Sequence, residues 1–390
     1  MSFAFSPADL DFLAGGEDDL TALAAELTLR PESTLRDLDL ARRRVGEHAA
    51  AAVETLTLRR KAVGKLGPRA STWWFTDEAL QQATPWPVAE HRARRLVGIA
   101  VHDVTCSIGA DLAALVGAGG TRVLGSDLDP VRVRMARHNV GPVAVVADAL
   151  QPVSRGMLPY ADPARRDGSG RRLRSAATVP GLDALDRAWA ERPPVLRVPP
   201  GVDYDALARP GEVEIVSWDG SAREAVLWPA ELAVVGRRAT VLSSTGPAVD
   251  LTDTEPDDIP VAPVGAWLVD PDPAVVRSHL VRHYGFRHGL WQLDPHLAYL
   301  TGDIPPTTGR AFRVLEIGTF KERTVAGWLR TAGVGTLEIK VRGLAIVPDE
   351  LRLRLRKSLT GPRAVERTLV LARVGRHQMA YLTQAVVAAE

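Results

Sequence analysis

Four acids fall at intervals that could build one binding site: Asp103 in VHDVTCSIGADL, Asp127 in VLGSDLDP, Asp148 in VVADAL and Asp162 in YADPARR. Carboxylates in a ring accept hydrogen bonds from hydroxyl and amino groups and attract cations. The same ring repels phosphates. Between the first two acids lies a turn of small residues, Ser107-Ile108-Gly109-Ala110-Asp111, which lets a ligand approach the backbone closely. Asp127 stands at about the distance beyond that turn at which a ribose-binding acid is expected. A nicotinamide dinucleotide is the competing ligand. Its fingerprint needs three glycines to seat a pyrophosphate, whereas this turn holds only Gly109, with Ser107 near the first glycine position and Asp111 near the helix start. A cationic nucleoside without phosphates suits the ring better, and S-adenosylmethionine is such a molecule. Asp162-Pro163 adds a carboxylate and a φ-restricted residue, able to orient an amino group by accepting its hydrogens.

Positioning four acids in this way requires four strands that end at one edge of a sheet. Leu96 to Val101 reads as a buried parallel strand leading to Asp103, and Leu112 to Val116 as the helix after the turn. Arg122 to Ser126, Val143 to Ala147 and Met157 to Ala161 read as the next three strands. Leu182 to Trp189 reads as a helix, and Val195–Val198, Val213–Ser217 and Ala239–Leu242 as the last strands of a mostly parallel sheet.

With those segments in order, the chain resembles the class I S-adenosylmethionine-dependent methyltransferases, and more closely bacterial members that carry a C-terminal THUMP-like domain. The resemblance rests on LQQATPWPVAEHRARR, DVTCSIGADL, DPARR, VLRVPPGVDYDAL, WLVDPDPAVVRSHLV and GRAFRV, spread from about residue 59 to 380. It implies a Rossmann-like α/β sheet, preceded by a helical region and followed by a small α/β domain. It also implies that Asp103, Ser107 and Gly109 line the methionine part of the cofactor, Asp127 the ribose and Asp148 the adenine amine. Asp162 and Pro163 would then face the methyl group.

The expected domains are a helical region over 1–95, the methyltransferase domain over 96–250, an acidic linker over 251–263 and the THUMP-like domain over 264–390. In the first, Ser6-Pro7 opens a helix, Leu35 to Leu58 forms a long amphipathic segment, and Thr76-Asp77-Glu78 opens another. Arg59, Arg60, Lys61 and Lys65 read as a solvated basic face or a phosphate-contacting surface. In the last domain, Phe312–Ile317 and Thr336–Val341 read as strands, Val325–Leu329 and Pro348–Leu359 as helices, and Ala364–Val374 as a β-prone run. Gln378 to Val387 reads as a strand or a helix.

A net charge of +1 conceals segregation. From Gly309 to His377, 15 Lys and Arg face 6 Asp and Glu, a surplus of nine, whereas Asp250 to Asp258 carries five acids and no base. Arg165 and Arg166 are candidate phosphate clamps, or partners of the acids beside them. The stripe Arg352, Arg356 and Lys357 is a candidate RNA contact, supported by the THUMP-like resemblance. A single cysteine, Cys106, excludes an internal disulfide and lacks the partner expected of a pyrimidine C5 methyltransferase, leaving a nitrogen or oxygen acceptor. His102 reads as a core histidine, Trp73 and Trp74 as core anchors, and His279, His283 and His288 as solvated rather than metal-binding. No membrane span or secretory leader is expected, which makes the cytoplasm the default. A small-molecule methyltransferase and an inactive RNA-binding protein remain alternatives.

Overall fold

The computed structural model describes residues 3–120, 122–164, 178–307 and 309–385. It divides into two compact units, one formed by Met1–Gly211 with Arg223–Ala233, the other by Glu212–Ala222 with Val234–Glu390.

The first unit begins with helices α1 (Pro7–Gly15), α2 (Glu17–Glu26), α3 (Thr34–Val45), α4 (Ala49–Leu66), α5 (Asp77–Gln82) and α6 (Trp86–Arg94). Ser6 caps α1 through a reciprocal box with Asp9. The long segment expected from Leu35 to Leu58 is two helices, because Gly46 ends α3 with φ at +58°. Leu10, Leu13, Leu20, Leu23, Leu58 and Phe75 pack into one core with Trp73 and Trp74. Trp74 also stacks on His138 at 3.8 Å. The basic face expected on α4 is not wholly solvated. Arg59 is buried, pairing with Glu17 at 2.8 Å and donating to the carbonyls of Thr72 and Trp73. Lys65 donates to the carbonyls of Leu80 and Gln81, at 2.8 and 2.9 Å, at the end of α5.

The sheet follows. Strand β1 covers only Val101–Asp103; Leu96 to Gly98 instead form the turns that end α6. Helix α7 (Ala110–Gly117), strand β2 (Val123–Asp127), helix α8 (Pro130–Val140), β3 (Ala144–Val146), β4 (Leu158–Ala161), helix α9 (Leu182–Ala188) and β5 (Val195–Val198) continue the unit. After the short helix α10 (Tyr204–Leu207) come β6 (Gly211–Trp218) and β7 (Ser221–Pro229). Strands β1 to β5 are parallel in the order β3-β2-β1-β4-β5, and β7 runs antiparallel beside β5. The sequence pattern had not revealed β7. The direction of strand order reverses between β1 and β4, and a crevice opens at the carboxyl ends of strands at such a point.

In the second unit, β6 pairs in parallel with β8 (Arg237–Leu242), which pairs antiparallel with β9 (Val249–Thr252). A seven-stranded sheet comprises β10 (Trp267–Asp270), β11 (Trp291–Gln292), β12 (Leu300–Gly302), β13 (Arg310–Thr319), β14 (Thr336–Arg342), β15 (Glu366–Val374) and β16 (His377–Ala385). Its order is β11-β12-β10-β13-β16-β15-β14, antiparallel except between β14 and β15. Helices α11 (Pro273–Arg277) and α12 (Val281–Arg287) precede β11, while α13 (Glu322–Thr331) and α14 (Pro348–Leu355) bury Val325, Leu329, Leu351 and Leu355 against Leu337, Leu369 and Leu382.

Division into compact units thus departs from the expected boundary at 250. The start of the acidic stretch, Asp250 to Thr252, is in β9. Glu255 pairs with Arg287, and Asp257 pairs with Arg282 at 3.3 Å, both on α12. The acids are held by bases of their own unit, and Ile259 is buried there.

Candidate functional site

Four strand ends of the first unit meet at a cavity of about 430 Å³, within the usual range for small-molecule sites. Asp103, Ser107, Asp127, Asp148 and Asp162 all line it, with Cys106 and Asp111. Ala79, Gln82, Ala83 and Thr84, from α5 and the residues after it, supply another wall. Gln82, Ala83 and Thr84 fall within LQQATPWPVAEHRARR, one of the phrases that carry the family resemblance, but their residue types alone do not mark them as a cavity wall.

Gly109 is not among the lining residues. It sits at the start of α7 with φ at +86°, where an added Cβ would lie 2.8 Å from the Val140 side chain. The missing Cβ lets the turn pack closely against α8, between Ile108 and Ala110, which both line the cavity. Ser107 does line the cavity, in a left-handed conformation with φ at +49°. The Ser107 N–H donates to Asp127 Oδ2 at 3.0 Å, and the Asp129 N–H donates to Asp127 Oδ1 at 2.9 Å. One carboxylate therefore fixes the turn and keeps further lone pairs for a ligand. Asp148 Oδ1 accepts from the Leu150 N–H at 2.9 Å. Beside these acids, Leu128 and Leu150 present apolar surface at the cavity.

Asp103 is buried, with the Thr105 N–H donating to it at 3.2 Å. Burial first, and then the charge of Asp111, push its carboxyl well above the ordinary range. Burial works the same way on Cys106, whose thiol is pushed well above its ordinary value, with Asp103 and Asp127 adding to the effect. A thiol so held is a poor nucleophile. Burial also opposes the charge of Asp111, but Arg92 at 2.6 Å and the Tyr160 hydroxyl at 2.9 Å hold it ionised and below its ordinary value. Because Arg92 compensates Asp111, the electrostatic objection to a diphosphate falls mainly on Asp127 and Asp148.

Asp162 follows β4, and its backbone N–H donates to Thr105 Oγ1 at 2.7 Å. Its carboxylate pairs with Arg197 on β5. Arg197 Nε donates to Glu224 Oε2 at 2.9 Å, and Arg92 Nη1 donates to Glu224 Oε1 at 2.5 Å. Pro163 is buried beside Asp162. Arg197, Glu224 and Arg92 were absent from the sequence expectation. The partners lie up to 132 residues apart along the chain: the β5–β7 pairing brings Arg197 beside Glu224, and Arg92 reaches Glu224 from helix α6. Arg165 and Arg166 lie outside the described residues.

In the second unit, Arg352 donates to Asp349 at 2.5 Å and to the Leu337 carbonyl at 3.3 Å. It is therefore partly neutralised, whereas Arg356 and Lys357 are exposed just beyond α14. Among the described residues, no group of three or more His, Cys, Asp or Glu could hold a metal ion. No helix there is long and apolar enough to cross a membrane.

The chain as a whole is similar to known proteins. Two Mycobacterium tuberculosis proteins, from strains CDC 1551 / Oshkosh and ATCC 25618 / H37Rv, are both named as uncharacterized S-adenosylmethionine-dependent methyltransferases. Each is 48% identical to this chain over 357 residues, covering 88% of the chain and 98% of the relative. The chain belongs to the S-adenosylmethionine-dependent methyltransferases. A THUMP domain-like family model matches residues 309–385 of this methyltransferase, the part that contains β13 to β16. A crystal structure of a Porphyromonas gingivalis W83 protein, provisionally named a methyltransferase, aligns with a TM-score of 0.69 at 18% identity. That alignment covers 99% of this chain and all of the other, which establishes a shared fold.

The residues present fit a methionine nucleoside. Asp127 and Asp148 can accept from ribose hydroxyls and an adenine amine, and Leu128 and Leu150 can cover a base. When bound, S-adenosylmethionine supplies an electrophilic methyl group.

Proposed function

We propose that this methyltransferase modifies a nitrogen of an RNA base without a covalent cysteine intermediate. The observation carrying the proposal is Asp162: a carboxylate at the cavity, next to Pro163 and charge-paired with Arg197. A carboxylate in that state accepts hydrogen bonds from an exocyclic amine and points the nitrogen lone pair at the methyl group, so catalysis is chiefly alignment. Asp103, Ser107, Asp127 and Asp148 hold the cofactor in this reading. Buried Cys106, with its raised thiol, supports direct transfer over ring addition.

RNA is favoured over a small molecule by the THUMP-like segment and by the surplus of nine positive charges from Gly309 to His377. In this proposal the second unit holds phosphates while the first selects the target atom. Arg356 and Lys357 contribute more than Arg352, whose charge is shared with Asp349. Arg165 and Arg166 remain candidate phosphate contacts. The test incubates the protein with radiolabelled S-adenosylmethionine and RNA from cells lacking its gene, then separates the nucleosides. Label on a base nitrogen supports the proposal. Transfer to small metabolites but not to RNA favours a small-molecule enzyme.

A further inference from the structure

We propose that Arg197, braced by Glu224, is a positioning residue whose guanidinium fork fixes the Asp162 carboxylate as a charged acceptor at the cavity. The inference rests on the reading above for the role of Asp162. Its geometry stands independently.

Arg197 and Glu224 occupy neighbouring antiparallel strands. Arg197 on β5 is opposite Val226 on β7, so Glu224 lies two residues along the same face. Glu224 is fully buried, and its two oxygens are divided between Arg92 and Arg197. Arg197 then has its Nε committed to Glu224 and its Nη1 directed at Asp162 Oδ2. A guanidinium is planar and rigid, so fixing one arm fixes the direction of the other.

The network is graded in exposure. The Glu224 side chain is 0% exposed, that of Asp111 12% and that of Asp162 29%. It is closed to solvent at Glu224 and opens toward the cavity at Asp162. Among the described residues, ion pairs join three acids (Asp111, Asp162, Glu224) to two bases (Arg92, Arg197) in one chain of contacts. Buried ion pairs stabilise folds weakly, so the arrangement has little to offer as a fold stabiliser alone. Its effect on Asp162 is specific. Burial pushes that carboxyl up, Arg197 and Arg92 oppose the rise, and Asp111 and Glu224 reinforce it. The net shift is upward even with Arg197 in place, and removing its charge moves the balance further toward the protonated acid, which donates where a carboxylate accepts.

The experiment compares the parent with Arg197→Gln, Arg197→Lys and Glu224→Gln, using circular dichroism to establish folding. Aspartate carboxyl carbons labelled with ¹³C are titrated by NMR, with Asp162→Asn assigning the signal. S-adenosylhomocysteine binding and transfer to RNA from gene-deleted cells are measured in parallel. In Arg197→Gln the Asp162 midpoint should rise by about one to three pH units, the shift typical of a lost neighbouring charge. The acid limb of the transfer profile should rise with it, while S-adenosylhomocysteine affinity stays within about threefold of the parent, since the contacts that hold the cofactor are kept. Arg197→Lys retains charge without the fork, so the midpoint should stay near the parent's while transfer falls at least about tenfold, as expected of lost alignment. Glu224→Gln should lower transfer in the same way. An Asp162 midpoint that is unchanged in a folded Arg197→Gln protein overturns the inference, as does a fully active Arg197→Lys. If the parent transfers nothing to RNA, the RNA reading fails while the NMR titration still decides the role of Arg197.

Discussion

Replacing Asp127 by Ala should weaken S-adenosylhomocysteine binding by two routes at once. Asp127 is the proposed acceptor for ribose hydroxyls, and a hydrogen bond to a charged acceptor contributes about 1.5–3 kcal/mol. The same carboxylate accepts from the N–H groups of Ser107 and Asp129, at 3.0 and 2.9 Å. Ser107 has φ at +49°, a conformation that costs a non-glycine residue about 1–2 kcal/mol. Without its acceptor the turn can relax out of that shape, carrying Ile108 and Ala110 away from the cavity wall. The expected loss in binding is therefore at least about 1.5–3 kcal/mol, roughly 10- to 150-fold in Kd. Asp127→Asn keeps one acceptor oxygen and should lie between parent and Ala. Isothermal calorimetry with S-adenosylhomocysteine reads the affinity, and circular dichroism verifies folding. A folded Asp127→Ala protein that binds within threefold of the parent would refute the assignment of this carboxylate.

Gly109→Ala should lower stability by about 1–3 kcal/mol, because φ is +86° and the new Cβ would meet Val140 at 2.8 Å; an unaltered urea midpoint would contradict this. Cys106 should react with a thiol reagent only as the protein unfolds, and Cys106→Ala should keep methyl transfer; loss of transfer in a folded variant would revive a covalent mechanism. His102 is buried between Ser126 and Ser154, and burial lowers its pKa to about 4 from an ordinary 6.5. Between those values the unfolded chain binds the extra proton. The stability this histidine confers is thus full above pH 6.5 and falls as the pH drops toward 4. Urea unfolding should show about 2 kcal/mol of this loss between pH 7 and 5, absent in His102→Gln; identical pH slopes for parent and variant would exclude it.

The parts legible in sequence were those encoded locally. Each of β1 to β4 places its acid at or just beyond its end, so Asp103, Asp127, Asp148 and Asp162 could be read from apolar runs and turns. His102 and the tryptophan pair followed from their apolar neighbourhoods and are buried. Gly109 was legible as a turn residue but not in its partner, because Val140 reaches it only through the packing of α8. The network behind Asp162 was not legible. Arg197 and Glu224 acquire meaning from the antiparallel strand β7, and a charged residue inside a strand gives no indication of its partner. Nor did the acidic run announce its bases, since Arg282 and Arg287 follow it by about 30 residues. Charge composition described that stretch correctly but could not say that it packs.

Mass spectrometry of nucleosides from RNA of cells with and without this gene addresses the central claim most directly. One N-methylated base should disappear on deletion, return with the parent gene, and stay absent with Asp162→Ala, which removes the acceptor altogether. RNA nucleosides identical in the two strains, from cells shown to produce the protein, would contradict RNA-base methylation.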